Sequence, residues 1–178
     1  MVLSFHPLVV GQENIICAGR KPDGGDLKAI KRADAVILPL GCRRELYFMA
    51  RENCDAVFPN YDARFSFSGK IGQIRLFRKT NTKHPRTLIY ENLDSCLENL
   101  ENSPGEPPVS FPFVFKFDWG GEGKNVFLIR NHGDWRKILD LTSRFENTGQ
   151  KGFLIQELVD SQSKSLRSVV IGARIVSY

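Results

Sequence analysis

Between Phe113 and Val159 the sequence leaves a chain few ways to fold. Phe113–Phe117 (FVFKF) is a short β-prone run. Asp118-Trp119-Gly120-Gly121-Glu122-Gly123-Lys124 interrupts it, and Val126–Arg130 resumes it. Such a pattern predicts two strands joined by a glycine turn. A helix over Trp135–Phe145 follows, with Asp134 as its cap and Trp135, Ile138, Leu139, Thr142 and Phe145 at helical spacing on one face. Gly149 and Gly152 end it, and Phe153–Val159 reads as the next strand. Arg167–Ile171 and Arg174–Tyr178, around Gly172–Ala173, predict a hairpin.

The first 62 residues have a different rhythm. Asn14–Ala18 reads as a strand and Asp26–Ala33 as a helix. Ala35–Leu40 (AVILPL) reads as a strand buried on both faces, Arg44–Asn53 as a helix with Leu46, Tyr47 and Ala50 inward, and Ala56–Phe58 as a short strand. Strand and helix in alternation predict a parallel sheet with right-handed crossovers, a small Rossmann-like unit without a dinucleotide fingerprint. Ser68–Lys79 then predicts a helix capped by Ser68, with Ile71, Ile74 and Phe77 on its apolar side and basic residues on the other. A strand at Thr87–Tyr90 and a helix near Leu93–Leu100 lead into a loop holding Pro104, Pro107, Pro108 and Pro112.

Several classes drop out. No apolar run approaches the roughly 20 residues that span a bilayer, and the N-terminus lacks the basic and cleavage regions of a signal peptide. Cys17, Cys42, Cys54 and Cys96 form no CxxC pair and only three His are present, so reduced thiols in a cytoplasmic protein are expected rather than zinc or disulfides. The net charge of +5 is concentrated in the first half, and residues 64–86 carry seven basic side chains and no acid. Such a run is either a solvated helix face or the neighbour of something phosphate-bearing. The chain stops at Tyr178 in mid-strand, so it is expected to be the N-terminal part of a longer protein.

The glycine loop carries the most chemistry. It is not a Walker A loop, because Asp118 stands where the first Gly is needed and Asn125 where Ser or Thr should follow Lys124. Nor is it a dinucleotide turn, because Val126 replaces the third Gly and no helix opens there. What remains is a turn whose backbone amides can fold over an anion, with Lys116 on the entering strand aimed at the same place. From the loop alone an ordinary Gly-rich hairpin would look the same. Gln156-Glu157-Leu158-Val159, where a strand runs into a linker, adds the acceptor, backbone amide and apolar wall that a purine needs.

These pieces together resemble the ATP-grasp family. Lys116-x-x-x-Gly120-Gly121-x-Gly123-x-x-Val126, a helix, Phe153–Val159 and Leu166-Arg167-x-Val-Val-Ile-Gly172 fall in its order. They are similar to the branch of ribosomal-protein-S6 glutamate ligases and glutathione synthetases. Phe58-Pro59-Asn60-Tyr61, Ser68-Gly69-Lys70 and His84-Pro85-Arg86-Thr87 resemble the preceding domain and its junction in such ligases. The resemblance implies an α/β chain with a Rossmann-like pre-ATP-grasp domain over residues 1–82 and the first, α+β half of an ATP-grasp domain over 83–178.

It further implies ATP as cofactor and a small-molecule or peptide carboxylate as partner, with Mg2+ held by ligands outside this chain. Lys70 and Lys116 would contact phosphates under the loop Gly120, Gly121 and Gly123. Glu157 and the Leu158 backbone would read adenine between Gln156 and Val159, and Arg167 would face the phosphate or the carboxylate. The plainer alternatives are a solvated helix-start Lys70, a Gln156 that only packs and a structural hairpin Arg167. Two departures stand out: Phe117 follows Lys116 where many relatives have Pro, and Ser165 occupies a position that is often acidic, with Asp160 as a substitute. The expected chemistry is carboxylate activation as an acyl phosphate followed by attack of an amine or thiol, and the fragment alone is expected not to turn over. The alternatives are a regulatory ATP-binding domain without chemistry and a basic nucleic-acid-binding module. Edges left open by the truncation could drive homo-oligomerisation.

Overall fold

A computed structural model describes residues 1–17, 19–98, 106–121, 123–162 and 164–178. The chain forms two compact units, Met1–Ser68 and Gly69–Tyr178. This division lies before the helix that follows Ser68, whereas the resemblance placed the boundary at 82. Hydrogen bonds from that helix into the second unit, described below, account for the difference.

The first unit contains β1 (Val2–Ser4), β2 (Glu13–Asn14), α1 (Gly24–Arg32), β3 (Ala35–Ile37), α2 (Arg44–Asn53), β4 (Val57–Phe58) and the short α3 (Asp62–Ser66). All strand pairs are parallel in the order β2-β1-β3-β4, the sheet expected from the alternation. The β1 strand was not legible: three residues at a terminus followed by His6-Pro7 offer too short a pattern to read. The strand at 35–40 stops at Ile37, and beyond Pro39, which has no N–H to donate, Leu40 is exposed. The helix α2 buries Leu46, Tyr47 and Ala50 as its spacing predicts. At α1, Asp23 accepts from the amides of Gly25 and Asp26 while the Asp26 carboxylate accepts from the Asp23 amide, a reciprocal capping box.

The second unit contains α4 (Gly69–Lys79), β5 (Thr87–Tyr90), α5 (Leu93–Glu98), β6 (Phe113–Phe117), β7 (Val126–Ile129), α6 (His132–Asn147), β8 (Phe153–Glu157), β9 (Ser168–Ile171) and β10 (Arg174–Ser177). The strands β5-β8-β6-β7 form an antiparallel sheet, and β9 and β10 pair as the expected hairpin. Period-2 alternation in β6 sends Phe113, Phe115 and Phe117 into the core and leaves Val114 and Lys116 on the other face. Phe115 stacks on Phe153 at 4.8 Å between centroids, and Trp135 of α6 meets Phe113 edge-on at 5.8 Å. The cap of α6 is Asn131, which accepts from the Asp134 amide; Asp134 lies inside the first turn, three residues later than its expected role. The predicted ends of two elements, at Ala18 and Leu100, and the loop residues Pro104 and Glu122 lie outside the described residues.

The four cysteines are buried free thiols. Among the described residues no helix is long and apolar enough to cross a membrane.

Candidate functional site

The face of the second sheet that carries Lys116 opens into a cavity of about 320 Å³ lined by Lys70, Gln73, Ile74, Phe77, His84, Pro85, Lys116, Val126, Leu154 and Gln156. Strand register brings several of these together. Lys116 stands opposite Val126 on β7 and Leu154 on β8, and Gln156 stands opposite Val114 and Thr87. The Lys116 ammonium donates to Gln156 Oε1 at 2.7 Å, Gln156 Nε2 donates to Thr87 Oγ1 at 2.8 Å, and Thr87 Oγ1 donates to the Pro85 carbonyl at 2.7 Å. The buried Gln156 is therefore a relay that fixes the lysine to the strand two ladders away.

Lys70 reaches the site from the first turn of α4. Its ammonium donates to the carbonyls of Trp119 (2.8 Å) and Gly120 (3.1 Å), tying the helix to the glycine turn. The turn is held open by Gly120 and Gly123 at φ near +77° and +75°, and a Cβ on Gly120 would come within 2.4 Å of the Asn125 amide nitrogen. Gly121 is exposed with open space where a Cβ would be.

Among the described residues neither lysine has a carboxylate partner within the cavity. Burial pushes the Lys116 ammonium below its ordinary 10.5, and the Lys70 charge adds to that. Burial also lowers Lys70, against a smaller opposing pull from Asp118. Two cations in one cavity, satisfied among the described residues by neutral acceptors, make a site suited to an anion.

One residue that carries the geometry escaped sequence reasoning. The Asp118 carboxylate accepts from the Ile71 amide at 2.7 Å, the Asp118 carbonyl accepts from the Lys70 amide at 3.4 Å, and its own amide donates to Gly152 O at 3.0 Å. It satisfies an amide at the start of α4, a task that Ser68 was expected to perform. It also explains Gly69, whose φ of +72° brings a would-be Cβ within 2.4 Å of Asp118 Oδ1. No local signal links residues 47 apart. Gln73, Phe77, His84 and Thr87 were likewise invisible as site residues. Phe77 and His84 stack at 6.1 Å and form one apolar wall with Ile74.

The remaining predicted positions lie further out. Glu157 is exposed at the end of β8, where its amide donates to Arg86 O at 3.0 Å, and Leu158 and Val159 are exposed beyond it. Arg167 sits on the exposed hairpin, its amide and carbonyl paired with Tyr178, and it is not among the lining residues. Among the described residues no group of three or more His, Cys, Asp or Glu is placed to hold a metal ion.

Comparison with known proteins agrees with this frame. The family model of the RimK-like ATP-grasp domain matches residues 68–178. The glutamate–LysW ligase ArgX of Sulfolobus acidocaldarius is 27% identical over 152 residues, covering 84% of this chain and 52% of that protein. The chain thus spans about half the length of the curated relative it matches. Among solved structures, the RimK domain ATP-grasp protein of Sphaerobacter thermophilus superposes with a TM-score of 0.63 at 15% identity, over 98% of this chain and 70% of that one. The N5-carboxyaminoimidazole synthetase of Staphylococcus aureus, solved with ADP, gives 0.60 at 14% identity, over 94% and 42%. The family start at residue 68 coincides with the unit that holds both lysines and the glycine turn. The chain belongs to the RimK-like ATP-grasp family.

Proposed function

We propose that the second unit binds ATP and that the whole protein uses it to join a carboxylate to an amine or thiol through an acyl phosphate. The observation that carries this reading is the pair of half-buried lysines, 70 and 116, held by neutral acceptors around one cavity beside a glycine turn. In this reading the β- and γ-phosphates lie between the two ammonium groups, under Gly120, Gly121 and Gly123. The base packs against Ile74, Phe77, Val126 and Leu154, towards Gln156. Glu157 and the Leu158 amide read its edge, beside Val159, and Arg167 meets the phosphate or the carboxylate from the hairpin.

The residues then act by electrostatics and position. A carboxylate oxygen attacks the γ-phosphorus, the bond to the β-phosphate oxygen breaks, and ADP leaves. The amine or thiol attacks the acyl carbon, phosphate departs, and the nucleophile releases its proton. Negative charge spread over the transferred phosphoryl oxygens is what Lys70, Lys116 and the turn amides stabilise. Magnesium bound with ATP would further neutralise that charge. The relative from Sulfolobus is a glutamate–LysW ligase, so glutamate and other amino acids head the substrate screen.

Calorimetric titration of ATP with magnesium tests the binding step. Saturable heat that is lost in Lys116→Met is the expected result, and equal binding by wild type and variant would refute the assignment. Hydroxamate formation from ATP, a carboxylate and hydroxylamine reads the acyl phosphate itself.

A further inference from the structure

An apolar cavity of the first unit shares no residue with the site assigned above. It measures about 320 Å³ and is walled by Phe5, Ile16, Cys17, Pro39, Cys42 and Leu46. Its place follows from topology. With the order β2-β1-β3-β4, the chain leaves β1 towards β2 on one side, while β3 and β4 extend the sheet on the other. The order therefore reverses between β1 and β3. In parallel sheets the loops at the carboxyl ends part at such a point and leave a crevice. Phe5 follows β1, Ile16 and Cys17 follow β2, and Pro39 and Cys42 follow β3, so all three loops face one cavity.

The walls are chemically consistent. The Cys17 and Cys42 thiols are more than nine-tenths buried, and burial is the main cause that raises both, Cys42 to about 11, so they are neutral at physiological pH. The Cys17 thiol has no hydrogen-bond partner among the described residues, whereas Cys42 Sγ donates to Arg43 O at 3.3 Å. Two arginines stand at the mouth, and they differ. Arg20 is neutralised by Asp26, its Nη1 and Nη2 donating to the two carboxylate oxygens at 2.6 and 2.7 Å. Arg43 Nη1 donates to the Gly19 carbonyl at 2.5 Å, and its Nε makes a longer ion pair, at 3.7 Å, with the exposed Glu45 carboxylate, so its guanidinium is less fully satisfied than that of Arg20. Arg43 also precedes α2 without a side-chain cap, so the positive end of that helix adds to the guanidinium.

From this we infer that the first unit binds a small monocarboxylic acid with a branched or aromatic body. The body fills the switch-point cavity and the carboxylate meets Arg43 at its mouth. The volume is at the small end of ligand pockets, which suits about ten heavy atoms. Binding by the first unit stands independently of the nucleotide reading, since no residue is shared.

Phenylacetate is the probe, titrated into the full chain and followed by amide chemical shifts. Gly41 lines the cavity, is exposed and has open space where a Cβ would be, so Gly41→Phe plugs the mouth without disturbing the core. Saturable shifts centred on Cys17, Gly19, Gly41 and Arg43 are expected, with a millimolar or tighter dissociation constant. The expected loss is at least tenfold in Gly41→Phe at unchanged thermal midpoint, and similar for phenylacetamide and for Arg43→Gln. Absence of saturation by about 10 mM, shifts outside these loops or full binding by Gly41→Phe overturns the site. Equal affinity for acid and amide overturns the carboxylate contact.

Discussion

The two units handle charge in opposite ways. In the first, the buried Asp26 meets the Arg20 guanidinium through two hydrogen bonds and closes a helix cap at the same time. In the second, Lys70 and Lys116 share a cavity and, among the described residues, meet carbonyl and amide oxygens. A protein that neutralises a buried charge itself is building structure, whereas one that holds cations on neutral acceptors leaves room for an anion. The contrast separates a scaffold ion pair from a binding site within one chain.

The contrast can be broken at its supports. The largest loss is expected from Trp135→Ala. This side chain is fully buried in the aromatic core of the second unit, and truncation costs about 3–5 kcal/mol. The remaining tryptophan, Trp119, lies in the same unit, so its fluorescence reports that unit's unfolding midpoint. Gly69→Ala comes next, at about 1–3 kcal/mol for forcing a side chain into positive φ, compounded by the approach to Asp118 Oδ1. It should also weaken ATP binding, because it displaces the group that anchors the start of α4 beside Lys70.

Asp26→Asn probes the other side of the contrast. The Arg20 guanidinium, joined by the Asp23 amide, holds the Asp26 carboxyl below its ordinary 3.8. The stabilisation it gives is therefore present above pH 3.8 and lost as pH falls through the lower folded value. Chemical or thermal denaturation should place the variant below wild type at neutral pH and level with it in strong acid. Lys116→Met should move the opposite way and raise the thermal midpoint slightly. It removes a cation that burial and Lys70 both disfavour, a stability cost retained for binding. The smallest effect is in pH. Since the lowered lysines must stay charged to hold an anion, ATP affinity should fall as pH rises through their depressed values, below 10.5.

Much of this was legible because it was local. The alternation in FVFKF places Lys116 away from the phenylalanine core, the spacing of Leu46, Tyr47 and Ala50 fixes the face of α2, and Gly172 marks the hairpin turn. What the sequence hid depends on distance along the chain. Asp118 replaces Ser68 as the partner of α4 across 47 residues, which moves the unit boundary to 68. Thr87 joins Lys116 only through Gln156. The helix α3 reads DARFS, too short for a period to show, and the switch-point cavity exists only once three loops from three strands converge. Arg167, singled out by motif alone, is left on an exposed hairpin.

Mapping the amide chemical shifts of the chain on titration with ATP and magnesium tests the central claim most directly. Shifts concentrated at Lys70–Ile71, Lys116–Gly121 and Leu154–Leu158 are expected, with the carboxyl-edge loops of the first unit unmoved. Shifts confined to the first unit, or none at saturating nucleotide, would contradict it.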